Sequence, residues 1–179
     1  MDVNPRGIRG LVFDKDGTLF DFNATWGAWA RRVLEVETAD DPDRLVPLAE
    51  ALGYDLEAGR FHPHSLVIAS TAEETAQAAL PYIAETSVEA LLQRWNRLAA
   101  EAPQVAAAPL GPLLRRFREN GLALGVATND AEAPARSHLA SEGVEGLFDF
   151  IAGYDSGFGG KPAPGQLMGF CEAVRLAPK

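Results

Sequence analysis

The chain has 179 residues, 47% apolar and 23% charged, with a mean hydropathy of -0.06. That is enough for one domain or for a small core carrying an insertion, and too balanced for a disordered or fibrous protein. Its 25 acidic residues against 16 basic ones leave a net charge of -9, which repels a phosphate backbone, so no nucleic-acid partner is expected. The opening MDVNPRGIRG carries no apolar h-region, and no run reaches the length of a membrane span. Neither signal peptide nor membrane partner is expected, and the cytoplasm is the expected location. A lone cysteine, Cys171, in apolar surroundings reads as a core residue.

In chain order, Gly10 to Asp14 is a short apolar run ending in an acid, which predicts a buried strand with a polar carboxyl end. The next strands are predicted over Leu122–Thr128 and Phe148–Ala152, with helices over Pro109–Asn120, Ala131–Glu142 and Pro164–Leu176. Gly121 stands at the C′ position of the first of these helices. Alternating short strands and helices argue for a parallel α/β sheet.

Residues 20–108 do not follow that alternation. Trp26, Trp29, Ala30 and Val33 recur at helical spacing behind Asn23, a predicted N-cap. Asp41-Pro42 opens a second helix with Leu45, Leu48, Ala49 and Leu52, ending at Gly53. Ser70-x-x-Glu73 and Thr86-x-x-Glu89 read as capping boxes, the latter starting a helix with Val88, Leu91, Leu92, Trp95 and Leu98 on its apolar side. Four helices and no strand are expected here. A crossover between neighbouring strands needs far less chain, so an α/β core of residues 1–19 and 109–179 is predicted to carry an all-helical unit over 20–108. From Phe20 to Leu110 there are 14 acidic and 6 basic residues, against 11 and 10 elsewhere. The excess reads as a solvated outer surface.

Asp14-Lys15-Asp16-Gly17-Thr18-Leu19 follows the first strand at its carboxyl end, where open α/β sheets place their ligand crevice. Two carboxylates at i and i+2 can divide the work of a nucleophile and an acid/base, Gly17 permits a tight turn, and Lys15 adds a nearby charge. The same string is also good turn chemistry, so spacing alone leaves both readings open. Other signals carry less. Gly157 to Lys161 is not a P-loop, because Pro162 follows the lysine and Asp155 stands where the first glycine belongs. His62-Pro63-His64 reads as a polar loop rather than a metal pair, and Trp26 and Trp29 as packing.

FDKDGTLF resembles the first motif of the haloacid dehalogenase superfamily, FDxDGTL(F/L). Leu124 to Asn129 resembles its second motif, a strand ending in Thr or Ser, and Gly160-Lys161-Pro162-Ala163-Pro164 the GKPxP form of its third. The helical insertion directly after the first motif resembles the cap of the phosphoglycolate phosphatase-like branch. The resemblance implies a Rossmann-like parallel sheet with an inserted helical cap and catalysis by Asp14, Asp16, Thr128 and Lys161. Asp14 would be the nucleophile that forms an aspartyl phosphate. Asp16 would protonate the leaving alcohol and later activate water. Thr128 would donate to a phosphoryl oxygen, and Lys161 would neutralise charge. Gly17, Thr18 and Asn129 would line the phosphate, and the Asp14 carboxylate and Asp16 carbonyl would hold Mg²⁺. In the superfamily's dehalogenases the second position is not an acid, so Asp16 favours phosphate chemistry.

The superfamily's fourth motif, usually GDxxxD, has no counterpart after Lys161. The resemblance therefore leaves the last core strands and the acids that complete the metal site missing, implying weak Mg²⁺ binding and a first strand at the sheet edge. A marginal chain is expected: a fragment of a longer protein, or one that recruits a strand or self-associates through that edge. The expected function is a Mg²⁺-dependent phosphatase acting on a small phosphorylated metabolite, weak or inactive in this form. The alternatives are a phosphate-binding or assembly protein and a phosphomutase.

Overall fold

A computed structural model describes residues 7–84 and 87–178. The elements run β1 (Gly10–Phe13), α1 (Phe22–Glu37), α2 (Leu45–Leu52), β2 (Tyr54–Asp55), β3 (Arg60–Phe61), α3 (Leu66–Ala69), α4 (Ala72–Ala79), α5 (Val88–Ala100), α6 (Leu110–Glu119), β4 (Ala123–Ala127), α7 (Glu132–Ser141), β5 (Phe150–Ala152) and α8 (Gly165–Ala173). They divide into two compact units. One joins the chain through Asp21 to the chain from Gln104 onward, and the other is Phe22–Pro103.

The first unit is α/β, with a parallel three-stranded sheet in the order β1-β4-β5. Phe13 pairs with Val126, and Gly125 with Phe150. The central strand β4 is the buried one. β1, read from its apolar run as a buried strand, is only half-buried throughout, because it lies at an edge of the sheet. Helices cover both faces. Leu110 and Leu114 of α6 cluster with Leu124 and Val126, while on the opposite face Phe170 of α8 lies against Gly125. A Cβ on Gly125 would stand 2.5 Å from the Phe170 ring, and one on Gly10 of the neighbouring strand 2.9 Å. These two glycines are the slot into which the ring packs. Cys171, on the same helix, is half-buried rather than in the core.

The chain leaves and re-enters this unit along a paired seam. Asp21 N donates to Val105 O at 2.8 Å and Ala107 N to Leu19 O at 2.9 Å, with Phe20 bridged antiparallel to Ala106. Residues 104–108, assigned from sequence to the insertion, therefore group with the α/β unit. No helix among the described residues is long and apolar enough to cross a membrane.

The second unit contains the four expected helices as α1, α2, α4 and α5. Trp26, Trp29 and Trp95 meet edge-to-face at centroid distances of 5.4 Å, in a core with Leu48, Leu52 and Leu91. Glu37, 7% exposed, ends α1 by accepting both Arg94 Nε and Nη2, at 2.7 and 2.9 Å, and Trp95 Nε1 at 3.1 Å. A buried carboxylate is tolerated because the charged Arg94 guanidinium meets both of its oxygens and the Trp95 indole N–H adds a third donor.

Several local expectations shift. Asn23 lies inside the first turn of α1, which starts at Phe22. The capping box is Thr71-x-x-Glu74, one residue later than Ser70-x-x-Glu73, since Ser70 ends the short α3. Thr86 lies outside the described residues, and α5 is capped by Ser87, whose hydroxyl accepts from Ala90 N. The unit is also not all-helical: β2 and β3 form a small antiparallel hairpin. Asp55 Oδ1 braces the turn between them by accepting from the amides of Glu57 and Ala58. Two-residue strands carry too little periodicity to show in sequence.

Candidate active site

The carboxyl ends of β1 and β4 are neighbours, because the Phe13–Val126 pairing sets Asp14 beside Ala127 and one residue short of Thr128. Asp14 is half-exposed there. Its Oδ1 accepts from Lys15 N at 2.8 Å and is paired with Lys161 Nζ at 2.7 Å. Two predicted site residues 147 positions apart in sequence are thus in contact.

Thr128 is buried, and its Oγ accepts from Asp130 N at 3.1 Å, which leaves the hydroxyl hydrogen for another acceptor. Asn129, next in the chain, reaches across to the Lys161 loop. Its Oδ1 accepts from Lys161 N at 2.6 Å and its Nδ2 donates to Lys161 O at 3.1 Å. The amide thereby holds the lysine's backbone through both its N–H and its carbonyl. Gly17 has a φ of +75, and its N–H donates to Phe20 O at 2.8 Å, so it shapes and closes the turn. Thr18 is exposed in that turn.

The glycine-rich loop before Lys161 is tied down at several points. Gln166, fully buried on α8, donates from Nε2 to Thr128 O and to Gly159 O. Asp155 Oδ1 accepts from Glu132 N at 2.8 Å, supplying the cap that Ala131 cannot give to α7. Hydrogen bonds from Ser156 and then Arg136 hold the Glu132 carboxyl below the usual carboxylate range. Lys161 is delivered by a fastened loop.

Beneath the turn, Lys15 and Asp16 meet Asp130 and His138, two residues that the sequence reading did not single out. Lys15 is fully buried, with Nζ 2.7 Å from Asp16 Oδ1, 3.2 Å from Asp130 Oδ2 and 3.1 Å from His138 Nδ1. Burial pushes the Asp130 carboxyl up to about 6; the Lys15 ammonium opposes that rise and the Asp16 charge adds to it. The available signal was alternation. In extended chain, Asp14 and Asp16 share a side and Lys15 faces the other, toward the core. His138 lies on the side of α7 that buries Ala135 and Leu139.

Residues 8–179 match the family described as haloacid dehalogenase-like hydrolase. The chain belongs to this family. Similar solved structures include CbbY from Rhodobacter sphaeroides in complex with phosphate, at 20% identity and a TM-score of 0.63 over 96% of this chain and 74% of that one. A predicted phosphoglycolate phosphatase from Haemophilus somnus 129PT shares 18% identity at a TM-score of 0.60, over 94% and 72% of the two chains. The L-2-haloacid dehalogenase RSc1362 shares 25% identity at a TM-score of 0.53, over 95% and 74%. No curated protein matches the chain. As a haloacid dehalogenase-like hydrolase, the protein carries its Asp14–Lys161 pair at the carboxyl edge of a parallel sheet, the position at which α/β folds bind ligands.

Proposed function

We propose that this hydrolase is a phosphatase acting on a small phosphorylated metabolite through an aspartyl-phosphate intermediate. The observation that carries the reading is the second acid, Asp16, in the same turn as the half-exposed Asp14–Lys161 pair. A departing alkoxide needs a proton and a departing halide does not. In the first step Asp14 Oδ2, the oxygen not engaged by the two lysines, attacks phosphorus. The ester P–O bond breaks and the leaving oxygen takes a proton from Asp16. In the second step Asp16 takes a proton from water, whose oxygen attacks phosphorus, and the bond to Asp14 breaks to release inorganic phosphate. The Thr128 hydroxyl and the Lys161 ammonium stabilise charge on the phosphoryl oxygens.

Magnesium fits the donor set in kind: oxygen atoms only, from the Asp14 carboxylate and the Asp16 carbonyl. Among the described residues no cluster of three or more His, Cys, Asp or Glu could hold a metal ion. The remaining positions would belong to phosphate and water, as is common for Mg²⁺. When bound, the ion would offset the repulsion between carboxylate and phosphate.

The test is phosphate release from p-nitrophenyl phosphate with Mg²⁺, compared between wild type and Asp14→Asn. Release that falls at least about 10³-fold on substitution is expected, in keeping with loss of a nucleophile. Phosphate binding without turnover would instead favour the binding-protein reading, and isomerised sugar from a hexose 1-phosphate a phosphomutase. The 25% identity to a dehalogenase gives a second reading its foothold. Chloride release from 2-chloropropionate, abolished by the same substitution, would replace the phosphatase reading.

A further inference from the structure

Lys15 is the most deeply buried charge in the α/β unit that touches the site, and its surroundings ask for an explanation. Taking an ammonium out of water costs several kcal/mol unless it is well paired, and an apolar side chain of similar size is often as good for stability or better. The fold nevertheless surrounds this ammonium with polar partners drawn from two places in the chain: Asp16 in its own turn, and Asp130 just before α7 with His138 in the body of that helix. An ammonium has only donors, so His138 Nδ1 accepts. His138 is itself buried, packed edge-to-face on Phe20 at 6.4 Å. Phe20 closes the same turn through its carbonyl.

Both site carboxylates are thereby tied to one residue. The backbone N of Lys15 donates to Asp14 Oδ1, and its Nζ to Asp16 Oδ1. Asp130 and His138 are too far along the chain to be placed by the turn. They come from the body of the fold, so they reference Nζ, and with it Asp16, to the sheet and α7.

We propose that Lys15 is a positioning residue: anchored from below by Asp130 and His138, its buried ammonium holds the Asp16 carboxylate by Oδ1 and leaves Oδ2 to exchange the proton with the reacting oxygen. This inference rests on the reading of Asp16 as the acid/base of a phosphatase. It makes Lys15 distinct from Lys161, which contacts the nucleophile from the solvent side of the turn.

The test uses Lys15→Met, which keeps the length of the side chain and removes the charge, with two esters that differ in their need for a proton. The measured quantity is kcat/KM, which reports the steps through cleavage of the ester bond. For glycerol 2-phosphate, whose alkoxide must be protonated, Lys15→Met is expected to lower kcat/KM by about 10² or more. For 2,4-dinitrophenyl phosphate, whose phenolate leaves unaided, a loss of less than about fivefold is expected. A merely structural lysine would reduce both by the same factor, and that result overturns the inference. His138→Phe, which keeps an aromatic ring and removes the acceptor, is expected to show the same selectivity at smaller amplitude, and it serves if the methionine variant does not fold. Crystal structures of wild type and variant give a readout independent of turnover. The Asp16 carboxylate is expected to change rotamer or lose order in the variant; an unmoved Asp16 overturns the inference. Wild type inactive on both esters would refute the phosphatase reading itself, and the crystallographic comparison would still decide whether Lys15 places Asp16.

Discussion

Asp130 is the residue at which burial and charge are most finely opposed. Its folded-state carboxyl is raised from the ordinary 3.8 to about 6, with desolvation the largest cause. The folded chain therefore holds this proton more tightly than the unfolded chain. Between about pH 4 and pH 6 the native state binds more protons, so the contribution of this group to stability rises as pH falls through that window and is lost as pH rises through about 6. Asp130→Asn removes the titration. Across a descent from pH 7 to pH 4, wild type should gain on the order of 2 kcal/mol relative to the variant. Urea titrations of both proteins at several pH values check this, and parallel curves would refute it. The same neighbourhood shows what a sequence conveys about a site. Asp14, Asp16, Thr128 and Lys161 are legible because their residue types and order match a motif. The use of Asn129 on the Lys161 backbone, and the meeting of Lys15 with Asp130 and His138, are not legible, because they depend on where a distant loop and helix come to rest.

At the scale of elements, the packing of α8 onto the sheet turns on two missing side chains. A methyl group on Gly125 would lie 2.5 Å from Phe170 Cδ2, closer than atoms approach without displacement. Gly125→Ala should cost about 1–3 kcal/mol by overpacking, read as a melting temperature lower by roughly 3–10 °C. Phe170→Leu in the same background should recover part of the loss. Full stability in the single variant would mean that α8 does not rely on this slot. The principal helices and the three parallel strands were legible because each carries its own periodicity over several residues. The one-residue error at Thr71 arose because Ser70-x-x-Glu73 and Thr71-x-x-Glu74 are equally good capping boxes in letters. Which one forms depends on where the preceding short helix stops.

For the molecule as a whole, β1 is one of the two edge strands of the sheet, the other being β5. Ala123 N donates to Arg9 O, and bonds alternate along a parallel ladder, so the outward amides are those of Gly10 and Val12. We propose that this edge pairs with a second copy of the chain. Sedimentation velocity over a hundredfold concentration range should show a growing dimer, weakened by Val12→Pro, which removes one outward donor. A monomer at every concentration would exclude it. The sequence alone determined the alternation of strands and helices and the mainly helical insertion, and it supplied the motifs that single out four candidate site residues, because those follow from periodicity and short motifs within a few neighbouring residues. The tertiary structure decided which strand is central, which glycines receive a ring, and how Lys15 joins Asp16 to His138, a residue 123 positions away. Such contacts are set by distances in space between segments far apart in the chain, and the burial that makes them strong exists only once the chain has folded.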